Sequence, residues 1–158
     1  MAYSVFVSHS ARDQGLVMAL ANTLSKYGVG VKVAEWYIAA GQRLSDKVRG
    51  QIREADSIVV FLTGNGTRSK WVQQEVGIAL GADKLVIPLV EKGTPAEALA
   101  ALQGKEYIEY DPARPQDALD RAAGYVGSLK TKKEDKERAL LAIGGVIAFL
   151  LLLSGDSK

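Results

Sequence analysis

Two stretches, SIVVFLT at residues 57–63 and KLVIPLV at 84–90, constrain the fold most. Both are apolar almost throughout and rich in β-branched residues, with no alternation of polar and apolar positions. A strand half-exposed to water alternates; one that does not must be covered on both faces. The segment between the two runs is of helix length, so they belong to a parallel sheet with helical crossovers packed on each side.

The rest of the chain repeats this rhythm. YSVFVS (3–8) reads as a strand. From Asp13 the apolar residues Leu16, Val17, Leu20, Ala21 and Leu24 recur at helical spacing, and Gly28 ends the run. GVKVAE (30–35) is strand-like, and Trp36 to Gly41 has no period and reads as a loop. Leu44, Val48, Ile52 and Ala55 mark a second helix closed by Asp56. GNGTRS reads as a turn before a helix from Lys70 to about Gly81. Pro88 removes one N–H from the KLVIPLV strand, which places it at a bulge or toward an edge. EYIEY (106–110) is a short, more polar strand, and Gln116 to Leu129 is a last helix. Five strands alternating with helices predict an α/β, flavodoxin-like doubly wound parallel sheet. Ligands in such folds bind beyond the carboxyl ends of the strands. Here those ends are Val7 to Ser10, Glu35 to Gly41 and Thr63 to Ser69.

After residue 130 the pattern stops. Residues 131–138 read as a charged linker, and Ala139 to Leu153, within a candidate helix over 139–155, contains no charge. As a helix this run spans about 22 Å at 1.5 Å per residue, short of a bilayer core of about 30 Å. Snorkelling by Arg138 and Lys158 extends its reach. The favoured expectation is a single C-terminal membrane anchor in contact with lipid, with Lys130, Lys132, Lys133, Lys136 and Arg138 on the cytoplasmic side. The alternative is an apolar helix buried against the domain or another chain. The N-terminal MAYSVFVSHS lacks the basic and long apolar regions of a secretory signal.

Composition narrows the chemistry. With no cysteine, disulfides, thiolate catalysis and thiolate metal sites are excluded. With one histidine, a His-rich metal site is excluded as well. A net charge of +2 with scattered basic residues gives no nucleic-acid footprint. GNGTRSK lacks Walker A spacing, and no GxGxxG follows the first strand.

Several polar residues sit at the strand ends. Ser8, His9 and Ser10 read either as a helix-capping cluster, which residue physics alone favours, or as hydroxyls for a ligand's phosphate or ribose. Nothing around His9 supports a nucleophilic triad. Trp36 and Tyr37 are either recognition surface or packing under their loop. Arg43 is either solvated or a phosphate partner. In SKWVQQEVGIAL, Ser69 is a good N-cap, and Trp71 and Glu75 share one helix face. Glu75 is either a surface glutamate or a carboxyl in a cleft beside indole, where desolvation raises its pKa.

Taken in order, VFVSHSARD, GVKVAEWYIAAGQRL, ADSIVVFLTGN and SKWVQQEVGIAL resemble the Toll/interleukin-1 receptor (TIR) domain of prokaryotic type, over about residues 3 to 130. The resemblance implies either a non-catalytic scaffold acting by TIR–TIR contact or an enzyme cleaving NAD+ at the nicotinamide–ribose bond. In the enzymes, a glutamate four residues after a tryptophan is the catalytic carboxylate, which falls here on Glu75 and Trp71. The substrate cleft of the family then matches Ser8, Ser10, Arg12, Trp36 and Arg43. The resemblance further implies self-association through the BB loop, Trp36 to Gly41, NAD+ as substrate with no cofactor, and a setting in antiphage defence or stress signalling. A deoxyribosyltransferase-like enzyme with a covalent glutamate is a third reading.

Overall fold

The computed structural model describes residues 3–33, 44–102 and 106–156; the side chains of 44, 45, 100, 101 and 142–156 lie outside that description. The loop holding Trp36, Tyr37, Gly41 and Arg43 therefore falls outside the described residues. Strands β1 (Ser4–Ser8), β2 (Gly30–Val33), β3 (Ser57–Leu62), β4 (Leu85–Glu91) and β5 (Ile108–Tyr110) form one sheet in the order β2-β1-β3-β4-β5. Every neighbouring pair is parallel.

Burial explains the unbroken apolar runs. Along β3, Val59 and Phe61 join one core, with Val5, Val7 and Leu89 from the sheet. Leu20 and Leu24 of helix α1 (Gln14–Ser25) and Leu119, Ala122 and Val126 of helix α5 (Pro115–Asp156) cover that face. Ile58, Val60 and Leu62 point the other way with Phe6, under Val48 and Ile52 of helix α2 (Leu44–Glu54) and Val72, Val76 and Ala79 of helix α4 (Lys70–Gly81). Each residue of β3 is thus covered whichever way it faces. Fully burying one such side chain is worth about 1.5–3 kcal/mol, so neither face tolerates polar alternation.

Local chemistry sets the boundaries. Gly28, at φ +70°, turns the chain after α1. Pro88 is opposite Val60 in the β3–β4 register without a bulge, and β5 pairs only from Leu89 onward. The β5 ladder thus begins one residue after Pro88. GNGTRS is not a simple turn. Its first residues wind into a short helix α3 (Gly64–Thr67), capped by the Thr63 hydroxyl, which accepts from the Gly66 N–H. A further 3-10 segment, Ala96–Leu102, seats Leu102 in the core under α4.

The last helix is longer than the spacing predicts. It does not end at Leu129: α5 runs from Pro115 to Asp156 and takes in residues 131–138, the segment expected as a charged linker. No glycine or proline interrupts residues 128–143, and Lys130 pairs with Glu134 one turn on. Lys133 reaches back to the domain, 2.8 Å from Asp56 just before β3 and 5.9 Å from the centre of the Tyr3 ring. Asp56 also accepts from the Ser4 N–H at 2.8 Å. Among the described residues no helix is long and apolar enough to cross a membrane. Most of the Ala139 to Leu153 run, expected to anchor in lipid, has its side chains outside the described residues.

Candidate active site

Parallel pairing brings the carboxyl ends of β1 and β3 to one edge, with Ser8 opposite Val60. Beyond it the chain runs through His9 and Ser10 into a 3-10 turn, Ala11–Asp13. Ser10 is that turn's N-cap, its hydroxyl accepting from the Arg12 N–H at 3.2 Å. His9 is buried, with Nδ1 2.7 Å from the Ser10 carbonyl. A carbonyl only accepts, so Nδ1 is the protonated ring nitrogen. Arg12 is exposed at the same edge.

Glu75 occupies a core position of α4. The buried side of that helix is Val72, Glu75, Val76 and Ala79, which is the i, i+3, i+4, i+7 stripe facing the sheet. Only 2% of Glu75 is exposed. Its carboxyl is pushed up to about 7 by burial, and the nearby Ser8 hydroxyl offsets part of the rise. That proximity falls short of hydrogen-bond geometry: Ser8 Oγ and Glu75 Oε2 are both buried without a hydrogen-bond partner among the described residues. Ser8 lies two residues after Phe6 on β1, hence on the sheet face that α4 covers. An apolar helix stripe with one carboxyl, set over one strand-end hydroxyl, is costly for folding alone. Such orphaned buried groups concentrate at functional sites.

Trp71 stands one turn before Glu75 and is 38% exposed, so the indole lines the rim rather than the core. The helix start beneath it is fixed by Ser69, whose hydroxyl accepts from the Val72 N–H at 3.3 Å. The Ser69 N–H donates to the Gly66 carbonyl at 3.1 Å. Gly66 is obligatory here, because a Cβ on it would come 2.0 Å from the Phe61 carbonyl oxygen.

Of the residues read from the sequence, Ser8, Ser10, Arg12, Trp71 and Glu75 fall at this one edge. Trp36 and Arg43 lie outside the described residues; β2 ends at Val33, opposite Val7 of β1. Sequence reading missed Asp13. It is buried, and it accepts from the Thr63 hydroxyl at 2.6 Å and from Asn65 Nδ2 at 3.3 Å. The available signal was an acid at a helix start whose neighbours were otherwise explained by capping. Two open clefts, about 580 Å³ between α2 and α4 and about 610 Å³ beside β4, β5 and α5, do not include Glu75 in their walls. Among the described residues no three His, Cys, Asp or Glu side chains are grouped to hold a metal ion.

Comparison with known proteins agrees with this architecture. The 2' cyclic ADP-D-ribose synthase AbTIR of Acinetobacter baumannii is 28% identical over 102 residues, which cover 61% of this chain. The match spans only 38% of that relative's length. The TIR domain of the Toll-related receptor TRR-2 from Hydra magnipapillata superposes with a TM-score of 0.57 at 17% identity, covering 77% of this chain and 98% of that one. The CMP N-glycosidase BcmB of Clostridium botulinum superposes with a TM-score of 0.58 at 16% identity, again covering 77% and 98%. At these identities the two structures speak for the fold alone. The TIR domain family itself matches across residues 5–123, from the second residue of β1 into α5, and the chain belongs to that family.

Proposed function

We propose that this chain is an NAD+ glycohydrolase. It cleaves the nicotinamide–ribosyl bond, with Glu75 as the catalytic carboxylate. The observation that carries the reading is the Glu75 carboxyl itself: buried in a helix stripe, with one oxygen unpartnered among the described residues, at the sheet edge where doubly wound folds bind ligands. The distant relative named as a cyclic ADP-ribose synthase supports NAD+ chemistry at the level of the family.

The chemistry needs few groups. Nicotinamide in NAD+ is a cationic leaving group. As the C–N bond breaks, its electron pair moves to the ring nitrogen and neutral nicotinamide departs without a proton donor. Positive charge develops on the ribose, and an ionised Glu75 stabilises it and holds a ribose hydroxyl. Water then adds to give ADP-ribose, or an internal hydroxyl or ring nitrogen adds to give a cyclised product. No cofactor enters, since NAD+ is the substrate. Trp71 lines the cleft, and Ser8, Ser10, Arg12, Trp36 and Arg43 are assigned to substrate contact. Self-association through the loop from Trp36 to Gly41 completes the cleft and switches the enzyme on, in a defence or stress response.

Nicotinamide release by the clustered protein tests this. Glu75→Ala and Glu75→Gln should lose activity by at least about a hundredfold, as expected for removal of the main charge-stabilising group. Because the ionised form is required, kcat/KM of the wild type should rise as pH increases through about 7. Equal turnover by all three proteins would remove Glu75 from the chemistry. One observation favours the second reading, a non-catalytic scaffold: Glu75 is nearly closed to solvent within one chain. That reading requires no NAD+ turnover under any clustering condition, with partner binding lost in Tyr37→Ala or Gly41→Pro.

A further inference from the structure

We infer that Asp13 is a positioning residue for the Glu75 site: it straps helix α3 to the loop after β1 and so fixes the start of α4 above Ser8. This rests on the reading of Glu75 given above and extends it to a residue that touches none of the reacting atoms. Asp13 is 6% exposed. Its Oδ2 accepts from the Thr63 hydroxyl at 2.6 Å and its Oδ1 from Asn65 Nδ2 at 3.3 Å. These contacts join residues 50 and 52 positions apart, across two loops of the same sheet edge.

The strap leads to Glu75 through short, directional links. Thr63 Oγ1 donates to Asp13 and accepts from the Gly66 N–H at 3.0 Å, so a single hydroxyl joins the strap to α3. A second carboxylate anchors α3 from the far side: Glu91, at the end of β4, accepts from the Gly64 N–H at 2.9 Å. The Gly66 carbonyl takes the Ser69 N–H, and Gln73 Nε2 donates to the Thr67 carbonyl at 3.4 Å. A helix of four residues has too few internal hydrogen bonds to hold its own place. It is held between Asp13 and Glu91, and α4 begins three residues after it ends. The loop after β1 carries Ser10 and Arg12, so Asp13 also sets the distance between that side of the site and the helix bearing Trp71 and Glu75. A misplacement of about 1 Å at a reacting group costs on the order of a hundredfold in rate.

Two measurements test this, one of them independent of substrate. The first is the titration of the Glu75 carboxyl, followed by carbon NMR of side-chain-labelled protein, in wild type, Asp13→Ala and Asp13→Asn. Loosening α3 lets water reach Glu75, so in Asp13→Ala its pKa should fall from about 7 toward the ordinary 4.5. Asparagine keeps an oxygen that accepts from Thr63, so Asp13→Asn should hold Glu75 near the wild-type value. The second measurement is nicotinamide release, where Asp13→Ala should lose about tenfold to a hundredfold in kcat and Asp13→Asn should recover most of it. If Asp13→Ala does not fold, Thr63→Val, isosteric but without the hydroxyl, takes its place, with Thr63→Ser as the rescue. A folded Asp13→Ala or Thr63→Val protein with Glu75 still titrating at about 7 overturns the inference. If the pKa relaxes as expected but wild type releases no nicotinamide, the strap stands and the glycohydrolase reading fails.

Discussion

Glu75 should cost this fold stability at neutral pH, and replacing it by glutamine should return that stability. The carboxyl is 2% exposed and titrates at about 7 in the folded chain, against 4.5 when unperturbed. The sign follows from proton counting. Between the two values the folded state holds the proton and the unfolded state does not, so stability falls as pH rises from about 4.5 to about 7. Each pKa unit corresponds to about 1.4 kcal/mol, so the full penalty above pH 7 is about 3 kcal/mol. Glutamine has nearly the same shape and no charge to desolvate. In urea titrations Glu75→Gln should exceed wild type by about 3 kcal/mol at pH 8, and by well under about 1 kcal/mol at pH 4.5. The other carboxylates are common to both proteins and cancel in the difference. Wild type and variant differing by the same amount at both pH values would refute the reasoning, because a packing change carries no pH dependence. A gain in stability together with lost turnover would mark Glu75 as kept for chemistry rather than for folding.

Two further perturbations probe the frame around the site. Gly66→Ala should destabilise by about 3 kcal/mol or more in thermal or urea unfolding, since its Cβ meets the Phe61 backbone oxygen at 2.0 Å and a backbone atom cannot swing away. Gly77→Ala, on α4 with nothing within 4 Å of the added carbon, should instead stabilise by about 0.5–1 kcal/mol. Lys133→Met should cost about 1 kcal/mol at pH 7, for a partly exposed pair, and should speed amide exchange in the α5 turns beyond Leu129. Burial pushes the Asp56 carboxyl up, but hydrogen bonds from Lys133 and the Ser4 N–H outweigh it and hold it below its ordinary value. The pair's contribution is therefore present at neutral pH and lost as pH falls through that lowered value, so the two proteins should converge in strong acid.

The layered sheet was legible in the chain because its cause is local. Unbroken apolar runs at 57–63 and 84–90 allow only strands covered on both sides, and helical spacing between them supplies the covers. The capping of α4 by Ser69 is equally local. What tertiary structure decided lies in contacts between residues far apart in sequence. Helical spacing puts Glu75 near the stripe of Val72, Val76 and Ala79. Whether a carboxyl there turns to water or to the core depends on what β1 sets beneath it, and that is Ser8, 67 positions earlier (75 − 8). Asp13 read as one more polar residue at a helix start until folding placed Thr63 and Asn65 against it. The charged segment after Leu129 read as a connector because lysines and acids suit either a solvated linker or a helix face. Lys133, held by Asp56 across 77 residues, lies within one continuous helix. Local pattern sets which surface each element buries; only the closed fold brings particular polar atoms within bonding distance, and the chemistry of this site depends on those distances.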